Sequence, residues 1–520
     1  MDKSNMIGLV GFATLLTSIP VSANELPSHL AERPPLPVIT NDCGASDCGD
    51  RRKLELAQFS QRLSDASAQD NGVVQNSASQ GQQKKNNGQG LAIGQGNNDT
   101  QVVYLNFEQS SPTFPAVVSG TTPWLFLSHQ YTETERDAIQ ANLEADYQGF
   151  DITFTQTLPT EGEFSTLNFE CQTANNICVN FSSGILFGRA QSIDIGNQVR
   201  DDSAFVDVGL WEVFAQLDPS GGLLEAYSGI EIENGDVAAA LSKAIINQAS
   251  NTGAHELGHN LGLRHHDSFG SPGTGIPTTG VPSNDAFFPV FDGLQNGDEA
   301  ILHTMASGAS VGSGLTDSTA RDRFFSERSV IKLAAAERGR LISEASVAGK
   351  KVTLRKVVAP NTLLEGDNAE GKLDIREALI RGAISTPNEV DEYRFKAKAG
   401  EFISAEFNGF DVPVGSPVIG AVELYFIDAN GEQQLVAQNY QNFEGFDAFL
   451  IDAPLAQSGE YVLKVSSPNF VSFGYNPDGS PILFPLEETG NGALRVGDYQ
   501  LSMYIVDGKP GNGPSQVPGQ

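Results

Sequence analysis

Basic side chains are scarce in this 520-residue chain: 32 Lys and Arg stand against 64 Asp and Glu, a formal net charge of −32. A surface this short of cations gains no affinity by releasing counterions from nucleic acid, and anionic lipid repels it. Long apolar runs are missing too. Beyond the N-terminus no segment approaches the roughly 18 apolar residues that a membrane span needs, so no membrane anchoring is expected. Hydrophobic residues make up 39%, somewhat below the globular norm, which leaves room for unstructured chain within a length of about three domains. Glycine, with 54 residues, is plentiful and favours turn-rich β structure or linkers.

The first 23 residues read as an export signal. Lys3 supplies a short positive region, 6–19 is mostly apolar, and Val21-Ser22-Ala23 forms a small-residue cleavage site. A secreted, extracellular protein is therefore expected. The four cysteines fall into two close pairs, Cys43 with Cys48 and Cys171 with Cys178, and in an exported chain these suggest two local disulfides. A propeptide thiol at Cys43-Gly44 or Cys48-Gly49, capping a metal in a zymogen, is the alternative for the first pair. Residues 67–100 are rich in Gln, Asn, Gly and Ser and bury too little apolar surface to order themselves. They read as a flexible linker between a 24–66 propeptide and the folded chain, and exposed tethers are readily cut.

Folded sequence opens with the strand-like run Val102-Val103-Tyr104-Leu105-Asn106-Phe107. Thr132 and Glu135 form a capping box for a helix whose Ile139, Leu143 and Tyr147 share one face. Strand-like runs follow at 150–157 and 164–169, then a Gly-rich region at 184–197. Asp236 can cap a long helix beginning at Val237, and 327–340 has the pattern of a closing helix.

The decisive segment is His255-Glu256-Leu257-Gly258-His259-Asn260-Leu261-Gly262-Leu263-Arg264-His265. His255 and His259 project from one helix face and can hold one zinc ion, with Glu256 about 100° around the helix, where a general base should sit. On a continued helix His265 would turn well away from that face. The helix must therefore stop, and Gly262 is the residue able to turn the chain back in a left-handed conformation. With only 7 histidines in the chain, chance assembly of the pattern is on the order of one in a hundred thousand.

This H-E-x-x-H-x-x-G-x-x-H pattern resembles that of the metzincin metalloproteases. The resemblance implies a methionine turn beneath the zinc, for which Met305 in His303-Thr304-Met305-Ala306-Ser307-Gly308 is the candidate. It also implies an α+β catalytic domain over 101–345, with a mixed sheet, a zinc helix and that turn. His-Asn-Leu-Gly followed by His-Asp looks like the adamalysin group, where Asp directly follows the third ligand; here His266 intervenes and Asp267 comes one position late. Astacins and serralysins carry a Tyr two residues after the turn methionine; this chain has Ser307, so no Tyr ligand is expected. His266, Asp267 and His303 remain candidates for groups supporting the ligands, or for ordinary loop residues.

The expected chemistry is peptide hydrolysis on protein or peptide substrates by a monomeric enzyme. Zinc on His255, His259 and His265 lowers the pKa of a water, Glu256 takes its proton, and the sheet edge aligns an extended peptide. Asp194, Asn197, Asp201 and Asp202 could hold calcium, although their spacing matches no calcium-loop geometry and solvated acidic loop residues are the preferred reading. Between 355 and 507 the pattern becomes alternating strands, with a hairpin turn at Asp428-Ala429-Asn430-Gly431 and an echo of Gly459-Glu460-Tyr461-Val462-Leu463 in Gly497-Asp498-Tyr499-Gln500-Leu501. These features resemble the bacterial pre-peptidase C-terminal domain, which implies a jelly-roll-like all-β sandwich. By that resemblance the domain assists secretion, binds substrate surfaces or is removed on maturation; a plain stabilising sandwich would look the same. Residues 508–520 read as a disordered tail. An adhesion or matrix-binding protein on a silent protease fold is the competing class, and the retention of Glu256 and all three histidines counts against it.

Overall fold

Val103, Tyr104 and Leu105 are consecutive and all buried, as in a strand covered on both faces. They belong to β1 (Gln101–Asn106), the first strand in a computed structural model. It describes residues 100–108, 129–170, 173–174, 177–178, 187–268, 303–306, 319–320, 322–338, 341–347, 351–357, 375–410, 412–413, 415–440, 447–475, 481–486 and 492–507. The expected export signal, propeptide, tail and nearly all of the tether lie outside these residues, as do Cys43, Cys48, Cys171 and Ser307.

Strand β1 pairs in parallel with β2 (Ile152–Thr155) and β3 (Ser165–Asn168), the two short runs expected there. After the two-residue strands β4 (Thr173–Ala174) and β5 (Ile177–Cys178), β6 (Gly188–Ala190) and β7 (Ser203–Val206) complete a mixed sheet in the order β2-β1-β3-β7-β6. Strand β6 runs antiparallel to β7 and forms the edge.

Helix α1 (Glu133–Asp146) begins at the capping box: Glu135 N–H donates to Thr132 Oγ1 (3.2 Å) and Thr132 N–H to Glu135 Oε2 (2.8 Å). Its Ile139 and Leu143 are fully buried, and Tyr147 donates its hydroxyl to the Ala254 carbonyl at 2.8 Å. Helices α2 (Gly209–Leu217) and α3 (Gly222–Ser228) precede α4 (Val237–Asn260), which Asp236 caps by accepting from Ala239 N–H at 3.0 Å. Small residues let α4 lie close to its neighbours: Ala244, Ala249 and Ala254 are fully buried, and Gly253 faces Leu143, Leu167 and Phe169. The long metal-candidate helix is thus seated on the sheet and on α1 by the shortness of its inward side chains.

Helix α5 (Glu327–Arg338) closes this layer. The next strand, β8 (Leu341–Ser343), falls within the span 101–345 expected for the first domain, yet it pairs in parallel with β10 of the following sheet. The chain therefore crosses over by residue 341. Then come α6 (Glu344–Val347), β9 (Arg355–Val357), β10 (Ile375–Ile384), β11 (Val390–Ala397), β12 (Glu401–Asn408), β13 (Ala421–Ile427), β14 (Gln433–Asn439), β15 (Ala448–Leu455), β16 (Gly459–Ser466), the hairpin β17 (Phe470–Tyr475) and β18 (Pro481–Pro485), and β19 (Gly497–Val506). One sheet runs β15-β12-β19-β10-β8, with β9 also on β10; the other runs β11-β16-β13-β14. Apart from β8, every strand pairing in them is antiparallel.

The two sheets enclose one apolar core, with Ile403, Ala405, Phe407, Leu501 and Met503 from one side and Tyr393, Phe395, Leu424 and Leu463 from the other. This is a β-sandwich-like arrangement. The Asp428–Gly431 turn forms as expected, with Gly431 N–H donating to the Asp428 carbonyl at 3.0 Å. The echoed Gly-x-Tyr segments open β16 and β19, in opposite sheets, and both Tyr461 and Tyr499 point into the core. Ile375, Tyr504 and Val506 of the six-stranded sheet pack instead into the helical core, so its outer face is also covered.

Glu377 on β10 is 4% exposed, and burial pushes its carboxyl from 4.5 up to about 7, against the pull of Arg355 at 3.9 Å. A carboxyl raised on folding stabilises fully below its unfolded pKa, and that contribution is lost as pH rises through the folded value. Between pH 5 and 8 the loss is on the order of 2 kcal/mol. Glu377→Gln should therefore flatten the stability–pH curve in that window, as read by urea unfolding at both pH values; an unchanged slope would exclude Glu377 as its source.

Candidate metal centre

The last turn of α4 carries the site because of how the helix stops. Leu263 N–H donates to the Gly258 carbonyl at 2.8 Å and Gly262 N–H to the His259 carbonyl at 2.9 Å, the paired bonds of a Schellman ending. Gly262 has φ of +92°, and a Cβ there would lie 2.9 Å from the Ile195 Cα, so both the turn and the close approach require glycine. The reversal brings His265, in the short turn His265–Ser268, back over the helix.

Three ring nitrogens then converge. The Nε2 atoms of His255, His259 and His265 form a triangle with sides of 3.1, 3.2 and 3.1 Å. His255 Nδ1 donates to the Thr304 carbonyl and His259 Nδ1 to the Leu263 carbonyl, each at 2.8 Å. A carbonyl only accepts, so each Nδ1 holds the proton and each Nε2 keeps its lone pair. Lone pairs 3.1 Å apart cannot bond to one another, which is the arrangement a cation resolves. Burial, with His265 nearby, pushes the His255 pKa down to about 3, and burial likewise holds His259 well below its ordinary range. The donor set fits zinc: it takes neutral imidazoles, and bonds of about 2.0–2.1 Å reach all corners of such a triangle from one side.

Met305 is fully buried, and its sulfur lies against Gly258 beneath the ligand-bearing turn. The segment 303–306 does two things at once: Thr304 orients His255 from behind, and Met305 fills the space under the helix. Glu256 is nearly buried, and burial raises its pKa to about 7 although His265, the Ala190 N–H and Arg189 pull it down. Its carboxylate accepts from that Ala190 amide on edge strand β6. A Cβ on Gly188 would come within 2.7 Å of Glu256 Oε1, so glycine lets the strand approach the helix. Gly188 and Ala190 were visible in sequence only as part of the Gly-rich stretch 184–197.

Other candidates take different places. His266 meets Glu406 at 3.1 Å and stacks on Phe449 at 4.3 Å, so it faces the sandwich. Asp267 accepts from Arg264 N–H at 2.7 Å and pairs with Lys332 at 2.5 Å. His303 Nδ1 donates to the Ser268 carbonyl. These three brace the loop around the third histidine.

Three of the residues weighed as a calcium set have side-chain partners of their own. Asp194 spends its oxygens on Val199 N–H (2.7 Å) and Gln500 Nε2 (2.9 Å), Asp202 accepts from Ser165 (2.6 Å), and Asn197 donates to Gln101 (3.0 Å). Among the described residues they form no metal-competent group. Neighbours in sequence, they point to different partners because the loop folds against β1, β3 and β19.

No protein-family model matches the chain, and no curated protein matches it. Among solved structures, a pre-peptidase C-terminal domain of collagenase from Bacillus anthracis is 19% identical, covers 24% of this chain and 88% of its own, and has a TM-score of 0.15. PliG, a periplasmic lysozyme inhibitor from Salmonella Typhimurium, is 17% identical, covers 25% of this chain and 90% of its own, with a TM-score of 0.14. The pre-peptidase likeness expected from the sequence has this weak counterpart, and overlaps at this level assign no activity.

Zinc titrated into the full chain is expected to bind as a single ion and, at a hundredfold excess over Kd, to stabilise the fold by about 2.7 kcal/mol. His259→Ala should erase that gain in a calorimetric melt. A variant that keeps it would show that the ion binds elsewhere.

Proposed function

We propose that this chain is a secreted zinc endopeptidase of the metzincin type, hydrolysing peptide bonds of extracellular proteins. The observation that carries it is the triangle of imidazole nitrogens with Glu256 beside it on the same helix turn. Supporting it are the glycine-closed helix, the buried Met305 below the ligands, and the motif resemblance.

When bound, zinc supplies Lewis acidity that polarises a carbonyl and makes water a nucleophile near neutral pH. The rest falls to the chain's own residues. Glu256, next to His255 in sequence, accepts the proton from the attacking water and returns it to the departing amine. The Ala190 N–H holds the Glu256 carboxylate in place. Strand β6 pairs only with β7 among the described residues, so the outward backbone groups that Glu256 does not use are left for an extended substrate. Such pairing positions the scissile bond without demanding a particular side chain.

Digestion of casein or gelatin by the zinc-loaded protein, after removal of the N-terminal segment, is the direct test. Cleavage should stop on adding a zinc chelator and resume with zinc. Glu256→Gln should keep the ion and lose at least 100-fold in kcat. Full activity in that variant would refute the mechanism. A zinc-loaded protein that cleaves nothing would favour a matrix-binding protein instead.

A further inference from the structure

The segment bearing the third histidine is held from outside its own layer. Arg264 reaches Asp447 at 2.7 Å and Asn408 at 3.0 Å, with its Nε 3.7 Å from Glu406. His266 contacts Glu406 at 3.1 Å. Lys332 of α5 bridges Asp267 (2.5 Å) and Glu406 (2.9 Å). The residues on either side of His265 are thus tied, directly or through Lys332, to β12 and to Asp447, which immediately precedes β15. Asp447 is itself fixed, accepting from Gly409 and Phe410 N–H at 2.7 and 2.8 Å.

The opposite side of the turn is held in the same way. Asp194 N–H donates to the His259 carbonyl at 3.2 Å, and the adjacent Ile195 lies against Gly262. Gln500 of β19 accepts from Ile195 N–H at 3.0 Å and donates to Asp194 at 2.9 Å, while Asn408 donates to the Ile193 carbonyl at 2.6 Å. Strands β12 and β19 therefore grip the chain on both sides of the ligand turn.

His266, Asp267 and Glu406 lie close enough to hold a metal themselves. Lys332 already occupies the space between the two carboxylates, so the cluster is neutralised by side chains. Burial opposes ionisation of Glu406, but Lys332, His266 and Arg264 outweigh it and keep the carboxyl charged.

We propose that the C-terminal sandwich is a working part of the metal centre, with Glu406 and Asp447 as positioning residues that hold His265 beside His255 and His259. This rests on the zinc reading above. The sandwich then cannot be shed without loosening the third ligand, unlike a removable secretion module. Groups bonded to a metal ligand typically contribute 10–100-fold to affinity; Glu406 and Asp447 act through His266 and Arg264, which flank that ligand, so about tenfold is expected here.

A second buried pair separates positioning from simple adhesion. Arg328 of α5 meets Asp452 of β15 at 2.7 and 3.1 Å across the same interface and also donates to the Tyr504 hydroxyl at 3.0 Å. The test measures zinc Kd by chelator competition, the visible spectrum of the cobalt-substituted protein, and the melting temperature of the metal-free full chain. Glu406→Gln should weaken zinc about tenfold and alter the cobalt spectrum, and Asp447→Asn should move both in the same direction. Asp452→Asn should lower the melting temperature yet leave Kd within about twofold. Wild-type Kd and spectrum in both clamp variants would overturn the proposal, as would equal weakening by Asp452→Asn. Wild-type protein that binds no zinc would overturn the metal-centre reading itself, and the wild-type titration distinguishes that failure from the others.

Discussion

Imidazole lone pairs do not approach within 3.2 Å of one another unless rings are held in place against their repulsion. Two of the three rings here are held by backbone carbonyls, those of Thr304 and Leu263. Both carbonyls exist where they do because of the chain reversal at Gly262 and the packing of Met305 under Gly258. Much of the first layer serves that geometry. Small residues seat the long helix on the sheet, and the antiparallel edge strand comes close enough for Ala190 to hold Glu256.

The second constraint is electrostatic. Arg264, Lys332 and Arg328 are buried beside Asp447, Glu406, Asp267 and Asp452 at the junction between the helical layer and the sandwich. Desolvating so many charges rarely gains stability over a well-packed apolar contact, but removing one partner leaves another charge stranded. Such an interface tolerates little slippage in register. Under the coupling proposed above, that intolerance is transmitted to the third histidine through the residues flanking it.

Local features were legible in the sequence wherever a few neighbouring residues decide the outcome. The Thr132–Glu135 capping box, the Asp236 cap, the Gly262 stop and the Asp428–Gly431 turn all formed where backbone chemistry called for them. The three histidines were legible for the same reason, since spacing along one helix and one turn nearly determines their convergence. Proximity in sequence did not give the longer-range partners. Asp194, Asn197 and Asp202 turned to separate partners, and β8 joined the sandwich although its sequence followed directly on α5.

By itself, then, the sequence determined the excess of acidic over basic side chains, the identity and spacing of the three nitrogen donors, and the residue at which the helix must end. These depend on composition and on contacts between near neighbours. Only the tertiary structure decided what faces His266 and Asp267, because Glu406 lies 140 residues from His266. No periodicity records a partner at that separation. It is chosen by the packing of a sandwich sheet against the helical core, and that packing set His266 on Glu406 and joined Asp267 to the same carboxylate through Lys332.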